Sequence, residues 1–97
     1  MAYRYEIIPS AAKDLLKLTR RNHPMLLALV TAHIPTILED PYKAGEAKKG
    51  DLAGLRAYNF RMSNVAYRLV YQIEGDVVVF IAIGPHDAAY ERAGRRT

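Results

Sequence analysis

Residues 67–91 read YRLVYQIEGDVVVFIAIGPHDAAYE, and this stretch decides the fold. Apolar and polar side chains alternate along residues 67–73, which predicts a strand with one buried face. Residues 77–83 are apolar without a break, as is typical of a central strand that is covered on both faces. The turn signal at residues 74–76 makes the two strands an antiparallel hairpin, and the second strand ends just before His86.

The residues upstream extend this sheet and supply helices. A strand is predicted at residues 3–8, followed by a helix at 11–21 that Ser10 caps and whose Asp14 faces outward. A second helix carries apolar residues from Leu26 to Leu38, and Pro35 kinks or breaks it. A loop at 42–55 leads to strands at 57–62, 65–73 and 77–83. Residues 88–97 tolerate a helix, and we expect them to be loosely held. The sequence therefore predicts one α+β domain over residues 1–97, of order β-α-α-β-β-β. Two N-terminal helices cover one face of an antiparallel sheet and leave the other face open.

Composition restricts the classes of function. The chain has 14 Lys and Arg against 10 Asp and Glu, a net charge of +4, which favours a polyanion or an acidic protein as partner over a neutral one. There is no cysteine, and the three histidines lack metal-ligand spacing, so we expect no metal and no cofactor. No apolar run reaches the length of about 20 residues that spans a bilayer. The chain starts directly with strand-like alternation, which predicts a cytoplasmic protein without membrane contact.

The strand register predicts which side chains share the open face. If Ser63 and Asn64 form a two-residue turn, Asn59 lies opposite Arg68. Arg61 then points to the same side, roughly 7–8 Å from Arg68 between Cα atoms. The last strand returns beside Arg68, so His86 emerges close to both arginines.

Two arginines, a histidine and Tyr90 suit RNA cleavage without metal. In that reaction the ribose 2′-hydroxyl attacks the neighbouring phosphate, which requires a base, an acid and cations for the phosphoryl oxygens. Histidine can serve as base or acid, and arginine binds non-bridging oxygens. We therefore predict that the catalytic residues are Arg61, Arg68, His86 and Tyr90. The arginines could instead be solvated or dock an acidic partner, and Tyr90 could only pin the tail to the core.

The order and spacing of these segments resemble toxins of the RelE/ParE superfamily, from type II toxin–antitoxin systems. The likeness lies in YRLVYQIEGDVVVFIAIGPHDAAYE, in AYRYEIIPSAAKDLLKL, in ILEDPY and in GDLAGLRAYNFRM, and it spans nearly the whole chain. The resemblance implies a RelE-like, microbial-ribonuclease-like fold. It also implies a ribosome-dependent endoribonuclease that cleaves translated mRNA by the 2′-hydroxyl route.

Carried over residue by residue, the resemblance places family functional positions at Arg61, Arg68, His86 and Tyr90, with a basic loop at Lys48 and Lys49. Asn59 stands where the best-known members have a lysine that is a proposed proton acceptor. An amide cannot accept that proton at neutral pH, so His86 takes the role, or the activity is weaker or absent. We assign RNA and ribosome binding to Asn59 and to six further basic side chains, namely Lys48, Lys49, Arg56, Arg92, Arg95 and Arg96.

Other functions remain open on the same fold. The chain could be a ParE-like toxin that binds and inhibits DNA gyrase without cleaving anything, or a relic that serves as an accessory in interaction or DNA binding. The resemblance implies a cognate antitoxin, RelB-like or of another family, which we expect to be encoded adjacently. The ribosome and mRNA are the other expected partners.

Overall fold

A five-stranded sheet forms the centre of the molecule in a computed structural model that describes residues 3–96, apart from the side chains of His86 and Asp87. The strands are β1 (Arg4–Ile7), β2 (Glu46–Ala47), β3 (Arg56–Met62), β4 (Val65–Glu74) and β5 (Val77–Pro85). The helices are α1 (Pro9–Thr19), α2 (His23–Ala28), α3 (Ile34–Glu39), α4 (Pro41–Ala44) and α5 (His86–Arg96). The spatial order is β1-β5-β4-β3-β2, with β1 parallel to β5 and the other pairs antiparallel. The predicted α+β class is confirmed.

The β3–β4 hairpin has the predicted register. Met62 lies opposite Val65, and Asn59 lies opposite Arg68. The turn residues Ser63 and Asn64 both have positive φ, at 52° and 65°, as a two-residue hairpin loop requires. Because side chains alternate between faces, this register decides which residues of β3 and β4 face the helices.

Strand β5 is buried on both faces, as its apolar run predicted. Val78, Phe80 and Ile83 belong to a core cluster that faces α1 to α3, whereas Ile81 and Ala82 belong to a second cluster on the opposite face. The alternation shifts at a bulge, because Tyr71 pairs with Phe80 and Val70 pairs with Ala82, leaving Ile81 as an extra residue. The bulge changes which backbone N–H and C=O groups of β5 point to the side on which β1 lies.

Helix α5 covers the second face of β4 and β5, so the expectation of an open face and a loose tail is wrong for this part of the sheet. Ala89 and Ala93 of the helix are fully buried against the second cluster, together with Leu55 and Val70. The physical reason is already in β5, since a strand that is apolar on both sides needs a cover on both sides. The outer face of β3 keeps exposed side chains at Asn59 and Arg61.

The helical half begins and bends differently from the sequence expectation. Helix α1 starts at Pro9 with Ile8 as N-cap, so Ser10 lies inside the helix and caps nothing. Proline is well placed in a first turn because its missing N–H has no partner there anyway. The predicted interruption near Pro35 takes the form of a π-helical segment, Leu29–His33, which joins α2 to α3 without a break.

The segment predicted as a loop contains short elements. Helix α4, strand β2 and a 3₁₀ turn at Gly50–Leu52 lie within residues 41–55. Two residues are enough for β2 to add an outer strand next to β3. Elements this short carry no periodicity, which is why the pattern of the sequence does not reveal them.

Two glycines of similar exposure should respond to alanine in opposite ways. Gly75 has φ of +61° with no heavy atom near the position of an added Cβ, so Gly75→Ala should cost about 1 kcal/mol or more from backbone strain alone. Gly94 lies within α5, where an added Cβ would meet Leu52 Cδ2 at an ordinary 3.8 Å, so Gly94→Ala should stabilise by about 0.5–1 kcal/mol. Urea denaturation of both variants checks this, and effects of the same sign would contradict it.

Candidate functional site

Arg68 is the centre of a polar cluster on the outer face of β3 and β4. This face is opposite the one that packs Phe60 and Leu69 against the helices. Arg68 Nη1 donates a hydrogen bond to Asn59 Oδ1 across the strand pair. The guanidinium carbon also lies 4.9 Å from the centre of the Tyr90 ring. Arg68 is therefore held from two sides, by an amide oxygen and by an aromatic ring.

Lys48 joins this cluster from the loop that follows β2. Its Nζ lies 4.8 Å from the centre of the Tyr90 ring. The backbone N–H of Lys48 donates to the Leu55 carbonyl at 2.9 Å, which fixes the start of the loop. Lys48 is half-buried, whereas Lys49 is exposed. Two cations thus share one aromatic ring, and such a set can bind an anion and stack a planar group.

Arg61 lies on the same face but at its margin. Its Nη2 donates to the Asn64 carbonyl at 3.3 Å, so the guanidinium contacts the β3–β4 turn. The side chain is exposed and has room to rotate. The predicted sharing of a face by Arg61 and Arg68 holds, while the gathering of both guanidinium groups around one anion stays a prediction.

The chain leaves the sheet beside Arg68, as the hairpin register predicted. Gly84 pairs with Arg68 and Pro85 pairs with Tyr67, and α5 begins at the next residue. The backbone at position 86 therefore follows directly on the site. The side chain of His86 lies outside the described residues, so its predicted role as base or acid stays a prediction.

The family is decided by a comparison with family models. The model of ParE-like toxins of type II bacterial toxin–antitoxin systems matches residues 8–93. The chain belongs to this family. The resemblance to the RelE/ParE superfamily is thereby confirmed, and no curated protein matched the chain.

Solved structures of related toxins share the fold. A mutant of the Escherichia coli toxin RelE in the free state is 29% identical with a TM-score of 0.68, over 99% of this chain and 98% of that one. The toxin–antitoxin complex RelBE2 from Mycobacterium tuberculosis matches with a TM-score of 0.68 at 23% identity, over 89% of this chain and 100% of that one. The intact E. coli RelBE toxin–antitoxin complex matches with 25% identity and a TM-score of 0.57, over 88% of this chain and 98% of that one.

Three arginines that we assigned to RNA binding are engaged elsewhere in the toxin. Arg56 belongs to the helix-facing side of β3, where its Nη2 donates to the carbonyls of Tyr42 at 2.6 Å and Gly45 at 3.1 Å. Arg92 and Arg96 bind the carboxylate of Asp14. Their positive charge was the only basis for assigning them to RNA. Charge alone does not show whether an arginine will bind a ligand, a backbone carbonyl or a carboxylate of the same chain.

The remaining assigned arginine, Arg95, is exposed and pairs with Glu91 at 3.2 Å, one turn away along α5. Such an exposed pair is weak, so Arg95 remains available to a polyanion. Asp14, predicted to face outward, is buried, and this correction is taken up below.

The part of the toxin that the structure describes contains neither a cluster of metal-ligand side chains nor a membrane-spanning helix. Within residues 3–96, excluding the two undescribed side chains, no group of three His, Cys, Asp or Glu is placed to hold a metal ion. Among the described helices, none is long and apolar enough to cross a bilayer. The described side chains of the cluster offer two cations, an amide and a phenol ring.

Proposed function

We propose that this toxin is a ribosome-dependent endoribonuclease that cleaves translated mRNA without metal. The observation that carries the proposal is the placement of Arg68 between Asn59 and the Tyr90 ring, with Lys48 over the same ring. This cluster lies at the exit of β5, where His86 follows. The 29% identity to the toxin RelE over nearly the full length supports the RelE branch.

Each residue has a role that its chemistry allows. The ribose 2′-oxygen forms a bond to phosphorus and the bond from phosphorus to the 5′-oxygen breaks, which leaves a 2′,3′-cyclic phosphate and a 5′-hydroxyl. Arg68 binds the non-bridging oxygens as their negative charge grows. His86 takes the proton of the 2′-hydroxyl or gives one to the 5′-oxygen. Tyr90 stacks on a base, while Lys48 and Arg61 bind flanking phosphates.

Asn59 has a positioning role in this scheme. Its amide oxygen accepts a hydrogen bond from Arg68, so it orients the guanidinium instead of moving a proton. The step that a lysine is proposed to perform in the best-known members of the RelE branch then falls to His86. This division of labour follows from the donor and acceptor groups of an amide, which does not titrate near neutral pH.

The partners follow from the class of the protein. A toxin of a type II toxin–antitoxin system has an antitoxin as its partner. We further propose a RelB-like antitoxin, because the E. coli and M. tuberculosis neighbours are RelBE toxin–antitoxin complexes. The ribosome and mRNA are the proposed targets, which places the toxin in the cytoplasm.

Inhibition of DNA gyrase by binding is the second candidate. The matching family model, that of ParE-like toxins, favours it. The resemblance adds a second reason, because it puts Asn59 where the best-known members of the RelE branch have the proposed proton acceptor. A toxin that only binds gyrase has no use for a phosphate-binding guanidinium beside a histidine.

A paired assay in cells separates the two candidates. Cells that express the toxin are sampled for mRNA cleavage by primer extension and for plasmid supercoiling by gel electrophoresis. We expect new 5′ ends within translated codons, absent when translation is blocked beforehand, with supercoiling unchanged. Intact mRNA together with relaxed plasmid would overturn the nuclease proposal and establish the gyrase one.

His86→Ala should lower mRNA cleavage by about 10²- to 10⁴-fold, because it removes the group that moves the proton. Growth arrest should be relieved to a matching degree. His23→Ala is the matched control, since His23 is exposed at the start of α2, away from the cluster. Cleavage by the His86→Ala variant within twofold of wild type would remove His86 from the mechanism.

A further inference from the structure

Part of β5 has a free edge that strand pairing does not satisfy. Strand β1 ends at Ile7, opposite Phe80, whereas β5 continues to Pro85. Beyond Phe80 the backbone of β5 therefore has no strand on its β1 side. Backbone N–H and C=O groups at such an edge need other partners.

Three charged side chains supply these partners. Asp14 Oδ2 accepts from the Ile83 N–H at 3.3 Å, and Arg96 Nη1 donates to the Ile81 carbonyl at 2.8 Å. Arg92 Nη1 donates to the Ile83 carbonyl at 3.3 Å. The bulge in β5 turns the groups of Ile81 and Ile83 toward this edge. The edge is thus closed by side chains from α1 and α5 instead of by a sixth strand.

Asp14 binds both arginines and connects two helices that lie on opposite faces of the sheet. Arg96 reaches it through Nη1–Oδ2 at 2.7 Å and Nη2–Oδ1 at 3.2 Å, which is a two-point contact. Arg92 Nη1 lies 3.5 Å from Oδ1. Asp14 is only 8% exposed. A carboxylate buried this deeply is retained in a fold when its partners satisfy it fully.

The contacts of Asp14 with Arg92 and Arg96, which we call the clamp, hold the helix that carries Tyr90. Among the described side chains of α5, Ala89, Ala93 and the partly buried Tyr90 pack against the second cluster, and the two alanines bury little apolar area. Arg92 follows Tyr90 by two residues, so the two side chains project from roughly opposite flanks of the helix. One flank binds Asp14, and the other presents Tyr90 to Lys48 and Arg68. Both side chains belong to one helix, so a rotation of α5 about its axis that breaks the contact with Asp14 would also move Tyr90 away from Lys48 and Arg68.

We propose that Asp14 is a positioning residue, which holds α5 through Arg92 and Arg96 and thereby places Tyr90 beside Arg68 and Lys48. The consequence for RNA rests on the proposed function, whereas the consequence for Tyr90 does not. Among the described side chains, the contacts of Asp14 are with Arg92 and Arg96 and not with Arg68, Lys48, Arg61 or Tyr90, so we expect its effect on cleavage to be transmitted by the helix.

The stabilisation by the clamp should weaken as the pH falls, because it requires an ionised Asp14 carboxylate. Burial raises the pKa of Asp14, but the hydrogen bonds from Arg96 and the Ile83 N–H, together with the charge of Arg92, bring it below the ordinary value. Among the described side chains, the charged groups that face the carboxylate are these two arginines of α5, while β5 contributes a backbone N–H. A lowered pKa means that the stabilisation is complete above the unfolded value of about 3.9 and is lost as the pH falls through the folded value.

The test is Asp14→Asn, which keeps the shape of the side chain and removes its charge. Amide hydrogen exchange should become about tenfold faster or more across α5, while the amides of β4 keep their protection. Nuclear Overhauser contacts between the Tyr90 ring and the Lys48 side chain should weaken in the same variant. Glu91→Gln is the matched control, because it removes an exposed partner of Arg95 from the same helix and should change neither measurement.

Two further measurements keep the outcomes distinct. Arg96→Gln removes the same ion pair from the side of α5, so it can replace Asp14→Asn if that variant does not fold. It should show the same pattern of faster exchange in α5. In the cleavage assay Asp14→Asn should raise KM more than it lowers kcat, and Asp14→Glu should restore part of the loss. Unchanged exchange in α5, or acceleration shared equally by α5 and β4, would overturn the proposal. An opened α5 with displaced Tyr90, in a toxin that cleaves no RNA, would uphold the clamp and refute only the nuclease.

Discussion

Replacing Arg68 with alanine should lower the rate of the proposed mRNA cleavage by about 10²- to 10³-fold, the usual cost of removing one group that stabilises transition-state charge. The loss follows from the position of the guanidinium, which Asn59 and the Tyr90 ring hold on an otherwise exposed face. Without it, the proposed reaction would leave the charge on the phosphoryl oxygens without a fixed partner at the exit of β5. Single-turnover cleavage on programmed ribosomes measures the effect directly.

Two companion variants make this result specific. Arg20→Ala removes an exposed arginine near the end of α1, and it should leave the cleavage rate within twofold of wild type. Arg68→Lys keeps the charge but loses the planar two-point contact, so its rate should lie between those of wild type and Arg68→Ala. Thermal unfolding should show that all three variants fold. Equal rates for Arg68→Ala and Arg20→Ala would remove Arg68 from the site.

The largest effect on stability is expected at Phe80. This side chain is 1% exposed at the centre of the sheet, and its ring lies 6.2 Å from that of Tyr71 and 6.1 Å from that of Tyr5 between centroids. Phe80→Ala should lower the free energy of unfolding by about 3–5 kcal/mol, because it removes apolar contact and leaves a cavity that helices on one side and β1 on the other prevent from closing. Urea denaturation gives the value from the shift in midpoint.

The control for this variant is Val65→Ala, at a position that is 40% exposed at the start of β4. Its loss should stay within roughly 0.5 kcal/mol, as is usual for surface substitutions. The two variants also test whether β5 is the centre of the core. A loss at Phe80 no larger than the one at Val65 would show that the sheet repacks around the missing ring.

The sheet could be predicted from the sequence because its information is local. Alternation with a period of two and a two-residue turn at Ser63-Asn64 fix the β3–β4 register, and the register places Asn59 opposite Arg68. The same counting returns the end of β5 to Arg68. These contacts follow from pairing rules alone, so the core of the candidate site could be expected before any coordinates.

What could not be predicted depends on contacts between distant parts of the chain. The pattern of α1 predicts that Asp14 faces outward, because its partner Arg96 is distant in sequence and leaves no local signal. Arg92 reads as a free cation for the same reason. Helix α5 had a readable signal in the apolar run of β5, which required a cover on its second face. Charge alone did not distinguish Arg56, which binds backbone carbonyls, from Lys48, which lies over Tyr90.

The position of β5 between β1 and β4 has a consequence for synthesis of the chain. Of the five strands β5 is translated last, yet it joins β1 to the hairpin of β3 and β4. The first strand therefore has no partner strand until β5 has emerged, and such distant pairing slows folding. Tyr90 reaches Arg68 later still. A toxin built in this order therefore lacks the contact between Arg68 and Tyr90 until β5 and α5 have both been synthesised.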